Sequence, residues 1–369
     1  MKLKTVICIF IILFNFVSCA QDKNPENKEH SYEVIVSDLD IPWGFVFLPD
    51  NSMLITEKSG KLIHFKDGKK AKISGLPQVT VLGQGGLMDI ELHPNYKENG
   101  WIYLSYASSE DGDDDSANTT IMRAKLKNNS LVENQILYRA SPDSDRGQHF
   151  GSRIEFDNNG FLYFSIGDRG NRDVNPQDIT IDCGKIYRLN DDGTIPEDNP
   201  FVNTPNAKKA IYSYGHRNPQ GMAKHPVTGE IWTHEHGPKG GDEINIIHPG
   251  KNYGWPLISY GVNYSGTKFT EHTSLPGMEQ PIHYWVPSIA PSGMAFITSD
   301  KYPGWKGNLL VGSLKFQYLD RCVIENNKVV QQEQLISKFG RVRSVEQGHD
   351  GYIYAGVENV GIVKIIPKK

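Results

Sequence analysis

One pattern recurs six times along this chain. It is an apolar strand, a polar turn with Asp or Asn and Gly, then a second strand rich in Tyr, Trp or Leu. The copies are WGFVFLPDNSMLITEKSGKLIHF (Trp43–Phe65), LMDIELHPNYKENGWIYLSYA (Leu87–Ala107) and GSRIEFDNNGFLYFSIGD (Gly151–Asp168), followed by GMAKHPVTGEIWTHEHG (Gly221–Gly237), GMAFITSDKYPGWKGNLLVGSL (Gly293–Leu314) and RSVEQGHDGYIYAGVENVGIVKI (Arg343–Ile365). Each reads as a hairpin of two alternating strands around a turn that wants Gly or Asn. Successive copies start 44 to 72 residues apart, room for two more strands and a variable loop. Four strands per unit, six units and no long amphipathic helix predict an all-β chain, a six-bladed β-propeller; a pair of β-sandwiches fits a sixfold recurrence poorly. The early strand Tyr32–Val36 (YEVIV) is expected to complete the last blade beside Gly361–Ile366, which removes the free sheet edges.

Composition agrees with that reading. The chain of 369 residues holds 36 Gly and 21 Pro, the glycines set singly among apolar runs with no G-X-Y period, so they mark turns and not a collagen helix. Lys and Arg number 39 against 43 Asp and Glu, and the net charge of −4 excludes a nucleic-acid binder dominated by a basic face.

The N-terminus stands apart from the repeats. Met1–Lys4 (MKLK) is basic, Thr5–Val17 is mostly apolar and interrupted by Asn15, and Val17-Ser18-Cys19-Ala20 precedes the polar stretch QDKNPENKEH. The run is too short to span a bilayer comfortably and has the charge order of a secretory signal. A Cys after a small residue resembles the bacterial lipoprotein cleavage box, although Phe16 stands where Leu is usual. The expectation is a lipoprotein signal over residues 1–18, acylation at Cys19, a tether over 19–31 and the propeller over 32–369. An ordinary signal peptide and a retained anchor helix are the alternatives. All three place the domain outside the cytoplasm, periplasmic or at the cell surface, with the membrane touched only through the anchor. Cys183 and Cys322 remain for the mature chain; they are expected as buried free thiols, one long-range bridge being the alternative, and no CxxC pair suggests zinc.

Polar residues beside glycines occupy equivalent places in the repeats, where each inner strand begins or its partner ends. Gln84 lies in Gly83–Gly86, His149 in Gly147–Phe150, and Asp168 in Gly167–Gly170. Arg217 and Asn218 lie in Tyr214–Gln220, Gly237 and Pro238 close the fourth hairpin, Lys315 follows the fifth, and Arg341 and Arg343 open the sixth. In a propeller these places face the channel mouth. Four cations there, Arg217, Lys315, Arg341 and Arg343, imply an anionic ligand with several carboxylates or phosphates. His149 is a candidate general base, which Asp168 on the paired strand could orient. Gln84 and Asn218 are neutral hydrogen-bonding groups, and the carbonyls of Gly237-Pro238 suit a hard cation such as Ca²⁺. His93, His225 and His248 each precede a Pro and read as structural; His216 and His236 are ambiguous. Asp111–Asp115 (DGDDD) lacks the later Glu of an EF-hand loop and reads as solvated.

The stretches GQGGLMDIELHP, GQHFGSRIEFD, FSIGDRG, YGHRNPQGM, HEHGPKGGDEINIIHPGKNYGWP, GNLLVGSLK and RVRSVEQGHDG run in order over nearly the whole chain. In them the sequence resembles the soluble quinoprotein glucose dehydrogenases and aldose sugar dehydrogenases, six-bladed propellers that use pyrroloquinoline quinone (PQQ) and Ca²⁺. The resemblance implies oxidation of aldoses to lactones, with electrons passed to an external acceptor, by a monomer or homodimer. It implies that His149 takes the proton of the anomeric hydroxyl with Asp168 in support, and that Gln84 and Arg217 flank the reacting carbonyl. Asn218, Lys315, Arg341 and Arg343 would hold the cofactor's carboxylates and quinone oxygens, and the carbonyls of Gly237 and Pro238 its Ca²⁺. Glu243 and Tyr253 match positions that bind a second Ca²⁺ in some members. The long insert of the glucose dehydrogenases is absent, which places the chain nearer the aldose sugar dehydrogenases. The alternatives are a metal-dependent lactone hydrolase, which needs carboxylate and Asn ligands at the channel centre, and a non-catalytic sugar-binding propeller, which needs aromatic platforms and no base.

Overall fold

A computed structural model describes residues 30–112 and 114–367. The expected signal segment and Cys19 lie outside the described residues. The chain forms six four-stranded antiparallel sheets. Strand β1 (His30–Ser37) comes first. Blade one is β2 (Pro42–Phe47), β3 (Met53–Glu57), β4 (Lys61–Lys66) and β5 (Lys69–Ile73), and blade two is β6 (Leu87–Leu92), β7 (Trp101–Ser108), β8 (Asn118–Lys127) and β9 (Ser130–Arg139). Blade three is β10 (Ile154–Phe156), β11 (Leu162–Ile166), β12 (Lys185–Leu189) and β13 (Ile211–Tyr214), and blade four is β14 (Pro219–Lys224), β15 (Ile231–Glu235), β16 (Asp242–Ile246) and β17 (His283–Trp285). Blade five is β18 (Pro291–Phe296), β19 (Leu309–Ser313), β20 (Tyr318–Glu325) and β21 (Lys328–Leu335), and blade six is β22 (Val342–Gln347), β23 (Ile353–Val357) and β24 (Gly361–Pro367). Among the described residues one helical turn, Tyr96–Asn99, interrupts the strands and ends at left-handed Gly100.

The second strand of every blade is buried along its whole length or nearly so, as in β3, β11, β15, β19 and β23. Both faces of a blade are covered by its neighbours, so these strands read as apolar runs. The core is accordingly divided into wedges. Val46, Leu54 and Leu62 of blade one meet Leu87, Ile90 and Leu104 of blade two, and Leu310 and Leu319 of blade five meet Val345, Ala355 and Val363 of blade six. Cys183 and Cys322 are buried free thiols in separate wedges.

The ring closes as the alternation of YEVIV implies. β1 pairs antiparallel with β24, from His30 opposite Pro367 to Ser37 opposite Gly361, with a bulge between Val34 and Val36. The strand begins two residues before the expected boundary at 32. Gly361 makes the contact possible: at φ +133° a Cβ there would lie 1.8 Å from the Val36 carbonyl oxygen. Among the histidines, His93 accepts the Asn95 N–H on Nδ1 at 2.9 Å and His225 that of Thr228 at 3.1 Å, so both fasten their His-Pro turns.

Ile362 is fully buried on this seam, whereas Val34 is 42% exposed. Ile362→Ala is expected to cost about 2–5 kcal/mol, and Val34→Ala less than about 0.5 kcal/mol. Chemical denaturation of both variants checks the contrast; equal losses would mean that the seam does not carry the ring.

Candidate active site

The inner strands begin at one end of the channel, and the residues singled out above lie at that end. His149 sits in the loop before β10 and Asp168 just after β11, which pairs with β10. Two close approaches bring them together. At Gly167 a Cβ would lie 2.4 Å from the His149 carbonyl oxygen, and at Gly151 one would lie 2.7 Å from the Gly167 nitrogen. His149 itself has φ +58°. Its Nδ1 meets Asp168 Oδ1 at 2.6 Å, and Asp168 is 1% exposed. Gln84 reaches across from blade two, its Oε1 accepting the His149 backbone N–H at 2.9 Å. Together with Arg217, Pro238 and Trp255, the pair lines a cavity of about 120 Å³.

Electrostatics hold both members of this pair below their usual ranges. Burial pushes the His149 imidazole below its usual range, Arg217 and Arg169 push the same way, and Asp168 opposes them. Burial would raise the Asp168 acid, but the bond and charge of His149, with Arg217 and the Gly170 N–H, outweigh it and hold it below the carboxylate range. A neutral imidazole beside a fixed carboxylate is the protonation state a general base requires.

The cations are placed less uniformly than the sequence suggested. Arg217 lines the cavity, donates to the His236 carbonyl at 3.1 Å and lies over the Trp255 ring. Arg343 and Arg341 share one buried carboxylate: Arg343 Nη2 meets Glu358 Oε1 at 2.5 Å and Arg341 Nε meets Oε2 at 2.7 Å. Arg343 also reaches Gln220 and Ser292 of the inner strands of blades four and five. Lys315 is exposed, its ammonium 4.9 Å from the Phe316 ring centre. Asn218 is buried, and its Oδ1 accepts the Gly151 N–H at 3.1 Å, so part of its work is to hold the His149 loop. Asp168 and Glu358 offset part of the charge of these four cations, and the remainder suits a ligand bearing several carboxylates.

Gly237 and Pro238 follow β15, and the Gly237 N–H donates to Asp242 at 2.8 Å. Glu243 and Tyr253 line a second, minute cavity with Glu235, Gly237, Arg217 and Trp255. Burial and the neighbouring Glu235 push the Glu243 acid up to about 8. The amide of Asn245 bridges the two glutamates at 3.3 Å each, while its buried Oδ1 has no partner. Two mutually repelling carboxylates and an orphaned carbonyl are donors that an oxygen-seeking cation would satisfy. The ambiguous histidines act as scaffold: His216 Nδ1 meets Glu235 Oε1 at 2.9 Å, and His236 Nε2 meets the Pro291 carbonyl at 2.6 Å.

Sequence reasoning missed Glu358, which lies in a hairpin turn of blade six, and Arg169. The Arg169 guanidinium is buried over the Phe150 ring and donates to the carbonyls of Gln148, Arg146 and Ala117, so it anchors the His149 loop from behind.

If this pair is coupled as described, Asp168→Asn removes the group that raises the His149 pKa. The imidazole should then titrate lower still, as read by NMR of the histidine ring; an unchanged titration would show that the two are not coupled.

Residues 39–364 match the Glucose / Sorbosone dehydrogenase family. The chain is 42% identical over 346 residues to an aldose sugar dehydrogenase of Escherichia coli K12, covering 91% of this chain and 92% of that one. The apo-form structure of the soluble E. coli aldose sugar dehydrogenase superposes with a TM-score of 0.87 at 40% identity, over 92% of this chain and 100% of that one. The PQQ-bound form of an aldose sugar dehydrogenase from Streptomyces coelicolor superposes with a TM-score of 0.74 at 26% identity, over 92% and 98%. The chain therefore belongs to the glucose/sorbosone dehydrogenase family.

Proposed function

We propose that this protein oxidises the anomeric carbon of aldoses to lactones, with PQQ and Ca²⁺ as cofactors and an external electron acceptor. The observation that carries the reading is the His149–Asp168 pair set beside Arg217 in a small cavity at the end of the channel where the inner strands begin. The PQQ-bound relative supports the cofactor, and the cation set suits its carboxylates.

The chemistry follows from which nitrogen is engaged. With Nδ1–H donated to Asp168, the His149 lone pair lies on Nε2, which takes the proton of the anomeric hydroxyl. The C1–H electron pair leaves as hydride and the C1–O bond becomes a carbonyl. PQQ, when bound, supplies the hydride acceptor. Arg217 stabilises negative charge on the anomeric oxygen as the proton departs, and Gln84 fixes the backbone that carries the base. Gln84, Asn218, Lys315, Arg341 and Arg343 would hold the cofactor, and the carbonyls of Gly237 and Pro238 its Ca²⁺. Glu243 and Tyr253 would serve a second Ca²⁺. The lactone-hydrolase alternative has less support: of the carboxylates lining the channel Asp89 is tied to Arg153 at 2.7 Å, and among the described residues no Asn lines that cavity with Glu91, Glu155 and Glu346.

Purified apoprotein reconstituted with PQQ and Ca²⁺ should reduce a dye when given aldoses; no reduction with any aldose would overturn the reading. His149→Ala should lower kcat by roughly 10²–10⁴ while PQQ still binds. Arg343→Ala should weaken PQQ binding by about one to two decades, the loss of a charge-assisted contact. Export and acylation at Cys19 belong to the same proposal: the mature protein should carry the mass of a lipid, and an unmodified Cys19 in it would refute anchoring.

A further inference from the structure

The Asp168 carboxylate is held from three sides. Oδ1 accepts His149 Nδ1 at 2.6 Å and the Gly170 N–H at 2.6 Å. Oδ2 accepts the indole Nε1–H of Trp255 at 2.8 Å, and this bond is buried. Trp255 comes from the loop after β16, one blade away, and it is itself fixed. Its backbone N–H donates to the Gly215 carbonyl at 2.9 Å and its carbonyl accepts Gln177 Nε2 at 2.8 Å. Its ring packs edge-on against Phe269 at 5.2 Å and takes the Arg217 guanidinium over its face at 5.3 Å. It lines the cavity of His149 and the small cavity of Glu243 alike.

We propose that Trp255 is a positioning residue for sugar oxidation: its indole N–H fixes the rotation of the Asp168 carboxylate, and through it the plane of the His149 imidazole. A carboxylate held on one oxygen alone can rotate and present either lone pair to the imidazole. With both oxygens engaged, the rotation is stopped and Nε2 keeps one direction. The indole also has an electrostatic effect of definite sign. The positive end of its N–H dipole faces the carboxylate and weakens the negative field at His149. Removing it leaves a stronger field, which favours the imidazolium and opposes base action. The other charged or titratable groups near His149 are Arg217, Arg169 and His236, which burial keeps neutral, with Arg172 also lining the cavity, and none of them is removed by a change at Trp255.

The inference rests on the dehydrogenase reading for its catalytic meaning, but not for its physical test. Trp255→Phe keeps a ring against Phe269 and Arg217 and deletes the N–H. In the apoprotein, NMR should show the His149 imidazole titrating at higher pH than in the wild type. In the reconstituted enzyme, kcat should fall roughly 10-fold, in the range of one lost hydrogen bond to a charge. KM for the sugar should change little, and the acid limb of the pH–kcat/KM profile should move upward. A structural role alone would lower thermal stability and leave the His149 titration and the pH limb in place, and that result overturns the proposal. If the titration moves but the wild type oxidises no aldose, the dehydrogenase reading fails and the Trp255–Asp168–His149 coupling stands. Should Trp255→Phe not fold, the wild type supplies the test: the Trp255 Nε1 proton should resist solvent exchange and shift as His149 titrates. A freely exchanging proton that ignores the titration refutes the coupling.

Discussion

The antiparallel pairing of β1 with β24 is the constraint on which the rest depends. Six wedges around an axis form a closed core only if the first and last segments of the chain meet, and the buried free cysteines provide no covalent clasp. The seam therefore rests on backbone hydrogen bonds, the packing of Val36 against Ile362, and a glycine that admits a carbonyl where a side chain would collide. Blade six supplies Arg341, Arg343 and Glu358 to the channel end. Arg343 in turn contacts the inner strands of blades four and five. Opening the seam would displace the cation set along with the edge strand.

The site built on this ring is one in which buried charges have partners. Asp168 has His149 and Trp255, Glu358 has two arginines, Asp89 has Arg153, and Glu235 has His216. Such pairs add little to net stability, because desolvation offsets most of the attraction, but they fix geometry, since breaking one leaves a buried charge exposed to no solvent. Glu243 is the exception: burial and the neighbouring Glu235 push its acid up, and the orphaned amide oxygen of Asn245 lies nearby. That arrangement invites a cation, and it lies one ring away from the base.

Much of this was legible from the residues. The hairpins announce themselves because a tight turn demands Gly or Asn and a half-buried strand demands alternation. Strand YEVIV was assignable to the last blade for the same reason. His149, Asp168, Gln84 and Arg217 stood out because polar groups beside glycines at equivalent points of a repeat have no packing purpose. Pairing across blades was not legible. Trp255 lies 87 residues beyond Asp168, in a block read only as family signature, and their contact exists because blades three and four are neighbours in space. Glu358 sits in a turn whose local pattern gives no hint that it reaches two arginines. The repeat pattern places Asn218 at the channel mouth but does not show that its Oδ1 accepts the Gly151 N–H. Periodicity shows which element a residue occupies; it does not show which residue of another blade it will meet.

The central claim is that the anomeric C1–H bond breaks at this site while His149 receives the hydroxyl proton. Single-turnover reduction of the reconstituted protein by glucose, with hydrogen or deuterium at C1, tests it most directly. The account predicts that deuterium slows the spectral change of the bound quinone, and that the same change is slowed far more in His149→Ala. A quinone reduced at equal rates by both sugars, and equally well without His149, would contradict it.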